Sequence, residues 1–107
     1  MPSELHPAAR FEALAAQWLL DPTVTRPTRR GFAQGALMRH GKLLGTLRGE
    51  QLLLKLPAAR VAELIESEQG APFDANKGKP MKEWVLANGE ADWASLLVEA
   101  AAFIDAQ

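Results

Sequence analysis

The stretch Lys42-Leu43-Leu44-Gly45-Thr46-Leu47-Arg48-Gly49-Glu50-Gln51-Leu52-Leu53-Leu54-Lys55-Leu56 decides the fold. Leu52, Leu54 and Leu56 alternate with Gln51, Leu53 and Lys55, so an extended segment here has one fully apolar side and one mixed side. Gly49-Glu50 separates this segment from Lys42–Arg48, and His40-Gly41 separates Lys42–Arg48 from Phe32–Arg39. Short β-type runs joined by two-residue, glycine-containing turns predict a meander of hairpins. Thr23, Val24 and Thr25 add a further short strand before it. A sheet with one apolar and one mixed side packs helices on one face only.

The flanks supply those helices. Over residues 7–20, Phe11, Leu14, Ala15 and Trp18 follow the spacing of one buried helical face. Pro7 fits the first turn, and Asp21-Pro22 ends the segment because a residue before proline is pushed out of the α region. Residues 57–69 predict a second helix, with Pro57 at its first position, a stripe of Val61, Leu64 and Ile65, and Gly70 as a left-handed cap. A short apolar piece, Pro72-Phe73, leads into the polar loop Asp74–Pro80. Met81–Ala87 reads as a strand closed by Asn88-Gly89, and residues 92–106 as a last helix with Trp93, Leu96, Leu97, Ala100, Phe103 and Ile104 inward. The order α-β-β-β-β-α-β-β-α predicts an α+β, two-layer α/β sandwich, an antiparallel sheet with helices on one face. At 107 residues, with no linker and no internal repeat, the chain 1–107 reads as a single domain.

Composition argues against catalysis. The chain has no Cys, no Tyr and two His. That removes thiolate zinc sites, cysteine nucleophiles and disulfides. Ser3, Ser67 and Ser95 sit in no G-x-S-x-G elbow, and His6 and His40 have no metal-ligand spacing. Asn76-Lys77-Gly78-Lys79-Pro80 is no Walker motif. We expect no catalytic residue, no metal and no cofactor, hence no enzyme. Trp18, Trp84 and Trp93 read as packing residues. Met1-Pro2-Ser3-Glu4 lacks a basic leader region, and the longest charge-free runs, Ala13–Leu20 and Gly31–Met38, are far short of the roughly 20 apolar residues a span needs. A cytoplasmic protein without a membrane partner is expected.

The net charge of −1 hides a separation. Between Pro22 and Ala62 stand Arg26, Arg29, Arg30, Arg39, Lys42, Arg48, Lys55 and Arg60 against one acid, Glu50; the rest of the chain sets four basic residues against twelve acids. If Leu43 and Leu47 face the helices with Leu52, Leu54 and Leu56, then Lys42, Leu44, Thr46 and Arg48 share the outer face with Gln51, Leu53 and Lys55. Arg29, Arg30 and Arg39 would extend that basic face, which could neutralise phosphates. The expected partner is then DNA. The rival reading is a protein-interaction or chaperone-like module, a homodimer or one with another protein partner.

Two segments carry a family resemblance. Leu54-Lys55-Leu56-Pro57-Ala58-Ala59-Arg60-Val61-Ala62-Glu63-Leu64, and then Gly78-Lys79-Pro80-Met81-Lys82-Glu83-Trp84-Val85 after Pro72-Phe73, resemble the TfoX N-terminal-like and MmcQ/YjbR-like proteins. Gly78, Pro80, Met81, Lys82, Glu83 and Trp84 form the most specific part. The resemblance implies a YjbR-like, secretion-chaperone-like fold and a regulatory role, tied in some members to competence genes or an inferred DNA-binding role. It brings no established catalytic residue. Arg29-Arg30-Gly31-Phe32-Ala33-Gln34 departs from the Arg-x-Met-Phe-Gly-Gly-like pattern common at that place.

Overall fold

The alternation of Leu52, Leu54 and Leu56 becomes the centre of a sheet. The computed structural model describes residues 6–26, 35–74, 78 and 81–107. The elements run α1 (Pro7–Trp18), β1 (Val24–Thr25), β2 (Leu37–Arg39), β3 (Lys42–Arg48), β4 (Gln51–Lys55), α2 (Ala58–Glu66), β5 (Gly70–Pro72), β6 (Trp84–Ala87) and α3 (Trp93–Asp105). This is the α-β-β-β-β-α-β-β-α order expected of an α+β chain. Of the strand expected over Phe32–Arg39, only Leu37–Arg39 appears among the described residues; Phe32–Gln34 lie outside them.

The six strands form one sheet in the order β1-β2-β3-β4-β6-β5, with every neighbouring pair antiparallel. The β2–β3 turn places His40 at φ 53° and Gly41 at φ 78°, the two positive angles a tight hairpin turn needs. Beyond β4 the chain crosses through α2 to the far edge, and β6 then returns to lie between β4 and β5. Leu37, Leu44, Leu52, Leu54, Leu56, Val85 and Ala87 meet Phe11 and Ala15 of α1, Val61 and Leu64 of α2, and Trp93, Leu96, Leu97 and Ala100 of α3 in one core. All three helices therefore cover the same face of the sheet. Among the described residues no polar or charged residue is buried, so the core asks for no compensating polar network.

Local chemistry sets the helix ends. His6 caps α1 through Nδ1, which accepts from the Ala8 amide at 3.2 Å, and Pro7 follows at the first helical position. Asp92 caps α3 by accepting from the Ser95 amide (3.2 Å) and hydroxyl (2.9 Å).

The end of α2 differs from expectation. The left-handed residue is Glu68 (φ 64°), while Gly70 belongs to β5. The Glu68 amide donates to the Ile65 carbonyl and the Gln69 amide to the Leu64 carbonyl, the paired bonds of a Schellman ending. Gly70 is required for a different reason. A Cβ there would stand 2.7 Å from Val85 Cγ2 and 3.3 Å from Leu64 Cβ. The strand expected from Met81 begins instead at Trp84, because the Trp84 amide is turned back onto the Met81 carbonyl.

Candidate nucleic-acid interface

The basic residues of β2 and β3 do not share one face, and a single irregularity explains why. Leu37 pairs with Gly45, but the next residue, Met38, pairs with Leu43. Leu44 is the extra residue of a β-bulge, fully buried in the helix-side core. The bulge reverses the alternation expected across Lys42–Arg48. Val24, a core residue, pairs with Arg39, and Arg39 pairs with Lys42. Arg39 and Lys42 therefore lie on the helix side. Thr46 and Arg48 stay on the outer side, and Leu43 joins them there with Met38. The outer placement expected for Lys42 and Leu44 is thus corrected.

Arg39 is committed to a clasp. Its Nη1 donates to Asp21 Oδ2 (3.0 Å) and Thr23 Oγ1 (2.9 Å), and its Nε and Nη2 donate to the two Asp105 oxygens (3.1 and 2.9 Å). It joins the turn after α1 to the C-terminal end of α3. The Arg39 hydrogen bond holds the Asp105 carboxyl below its ordinary pKa. The Thr23 amide and hydroxyl, followed by Arg39, do the same for Asp21. Hydrogen bonds to Asp105 and then Asp21 raise the Arg39 pKa against the opposing effect of burial. Other cations of the basic segment are also occupied. Arg26 grips both oxygens of Glu12 (2.8 and 3.0 Å), and Arg60 binds Glu99 and Glu63. Outside that segment, Arg10 lies 4.1 Å over the Trp93 ring and donates to the Gly89 and Ala91 carbonyls. Arg29, Arg30 and Pro80 lie outside the described residues.

What the fold gathers is a smaller set on the outer face. In an antiparallel pair, directly opposed residues point to the same side. Leu52, Leu47 and Ala87 face the helices; Leu53 with its partners Thr46 and Leu86 faces away. Gln51 and its partner Arg48, and Lys55 and its partner Trp84, share that outer side. Phe73, just past β5, joins them. Its ring lies 6.4 Å from that of Trp84 at 55°, and the Arg48 guanidinium lies 5.3 Å from its centroid. Lys55 Nζ stands 3.8 Å from Glu83 Oε1. Arg48, Gln51, Pro72, Phe73, Asp74 and Leu86 border an open recess of about 380 Å³.

Of the six motif residues, Met81, Lys82 and Trp84 border a second recess with Ala58, Val61, Ala62 and Ile65 of α2. The Met81 amide donates to the Phe73 carbonyl, Lys82 is exposed, the Glu83 carbonyl accepts from Leu56, and Trp84 begins β6. Gly78 is exposed, with φ 78°. Trp18 and Trp93 belong with the core as expected, but Trp84 is half-buried outside it. Sequence reasoning missed Phe73 altogether. Its signal was the apolar pair Pro72-Phe73, whose face is decided only by pairing of the edge strand.

Among the described residues no group of three or more His, Asp or Glu could hold a metal ion, and no helix is long and apolar enough to cross a membrane. Comparison with known proteins found no matching family model, no matching curated protein and no matching solved structure.

Proposed function

We propose that the chain is a non-catalytic binding or regulatory domain that contacts nucleic acid with the outer face of its sheet. The observation that carries this reading is the grouping of Arg48, Lys55 and Phe73 at the outer face of the sheet, with Trp84 beside Phe73 at the rim where β6 also borders α2. Cations there can neutralise phosphates while apolar and aromatic groups meet the rest of the ligand. The resemblance of residues 54–64 and 78–85 to TfoX N-terminal-like proteins supports the same reading. A cytoplasmic setting goes with it.

Fluorescence anisotropy with labelled oligonucleotides across a salt series tests it. Two phosphate contacts, at Arg48 and Lys55, predict a log–log salt slope of about −1.4 on single strands and about −1.8 on duplex. The double reversal Arg48→Glu/Lys55→Glu should abolish binding at low salt. No binding by the unaltered protein, or equal binding by the variant, overturns the proposal.

A second reading is a protein-interaction module, dimeric through its helical layer. It is favoured by Leu20, 85 % exposed, and Val98, 60 % exposed, which border a groove of about 520 Å³ with Leu14, Trp18 and Ala94. Here the occupant would be a second copy of the chain.

A further inference from the structure

We infer that the ligand of the outer face is single-stranded nucleic acid, whose bases stack against the Phe73–Trp84 pair while its phosphates meet Arg48 and Lys55. The inference rests on the nucleic-acid reading above and narrows it. Gln51 lies directly opposite Arg48, and Lys55 is four residues further along the same strand. At about 3.3 Å per residue, the backbone positions of the two cations are roughly 13 Å apart along the strand direction. The ground between them is not basic. Leu53 is only 5 % exposed, so the reachable ground is the half-buried Leu86 and Trp84, with Phe73 at the Arg48 end. A ligand that reaches both cations must therefore lay apolar, planar surface on the sheet between two of its charges.

A duplex does not offer that surface. Its base faces are stacked inside, and its outside is phosphate, sugar and base edges. An unpaired strand has free base faces beside each phosphate, which is why aromatic rings and guanidinium planes serve as platforms for single strands. Arg48 can act both ways, because its guanidinium is planar and already lies over the Phe73 ring. Glu83, 3.8 Å from Lys55, opposes a densely charged ligand and leaves a larger share of the contact to stacking. Stacking by itself tolerates any base, since every base has a π-face.

The test compares a single-stranded oligothymidine with a duplex of equal length, by anisotropy at low and moderate salt. Phe73→Leu, which removes the ring but keeps apolar bulk, and Arg48→Lys, which keeps the charge but not the plane, are measured alongside. The single strand should bind more tightly than the duplex. Phe73→Leu should weaken it by about fivefold or more, with the salt slope unchanged because no phosphate contact is lost. Arg48→Lys should weaken it in the same direction. As a readout that needs no change to this face, Trp18→Phe/Trp93→Phe leaves Trp84 as the only tryptophan, and its fluorescence should be quenched by the single strand and not by the duplex. Duplex binding equal to or tighter than single-strand binding, or single-strand binding indifferent to Phe73→Leu with no quenching of Trp84, overturns this inference and leaves the broader reading standing. Binding to neither form overturns both.

Discussion

Glu68→Gly should make the protein more stable. Glu68 sits at φ 64°, beyond the last turn of α2, where an L-residue with a Cβ is strained by about 1–2 kcal/mol relative to the right-handed region. Glycine removes that strain but gives the unfolded chain more freedom, at a cost of about 0.5–1 kcal/mol. The net expectation is a gain of about 0.5–1 kcal/mol. Little else is lost, because the Glu68 side chain is exposed. The bond this residue accepts from Asn88 Nδ2, at 2.8 Å, goes to its backbone carbonyl and survives the change. For a domain of about this size, that gain raises the melting temperature by roughly 2–8 °C. Glu68→Ala removes the charge but keeps the Cβ, so it should stay within about 0.5 kcal/mol of the starting protein. Gly70→Ala is the opposing variant. Its Cβ would press to 2.7 Å of Val85 Cγ2 and 3.3 Å of Leu64 Cβ, and overpacking of this kind costs about 1–3 kcal/mol. Urea and thermal unfolding followed by circular dichroism measure all three. A Glu68→Gly protein less stable than the original, together with a harmless Gly70→Ala, refutes the reasoning and returns the left-handed position to Gly70.

Two further expectations concern the Arg39 clasp and the helical layer. Asp21 and Asp105 have folded pKa values below their unfolded ones, so they add stability above the unfolded carboxylate range near pH 4 and lose it as the pH falls through the lowered values. Arg39→Met should therefore flatten the fall of the urea midpoint between about pH 5 and pH 3; an unchanged profile counts against the clasp. If the groove beside Leu20 joins two copies, light scattering should show a dimer that Leu20→Glu converts to a monomer, and a monomer at every concentration removes that reading.

Much of this molecule was written locally. The alternation of Leu52, Leu54 and Leu56 predicts which side of β4 meets the helices, and those residues are fully buried in the core. Phe11 and Ala15 of α1 and Trp93, Leu96, Leu97, Ala100 and Ile104 of α3 also pack there, while Phe103, expected with them, is half-buried outside that core. These features are legible because side-chain direction in a regular strand or helix depends only on position along the element. The end of α2 was misplaced because glycine suits both a left-handed turn and a crowded strand, and the sequence does not distinguish them. Gly70 answers the crowding by Leu64 and Val85.

By itself, the sequence determined the order of the elements, the apolar side of β4 and the concentration of positive charge between Pro22 and Ala62. Only the tertiary structure decided which of those charges are available. The bulge at Leu44 arises from pairing with β2 and turns Lys42 away from the outer face. Asp105, 66 residues from Arg39 along the chain, satisfies that guanidinium. Phe73 and Trp84 meet beside Arg48 and Lys55 because β5 and β6 are brought to the far side of β4. A charge has the same value wherever it stands in a sequence, but its neutralisation depends on contacts across space, and those exist only once the chain has folded.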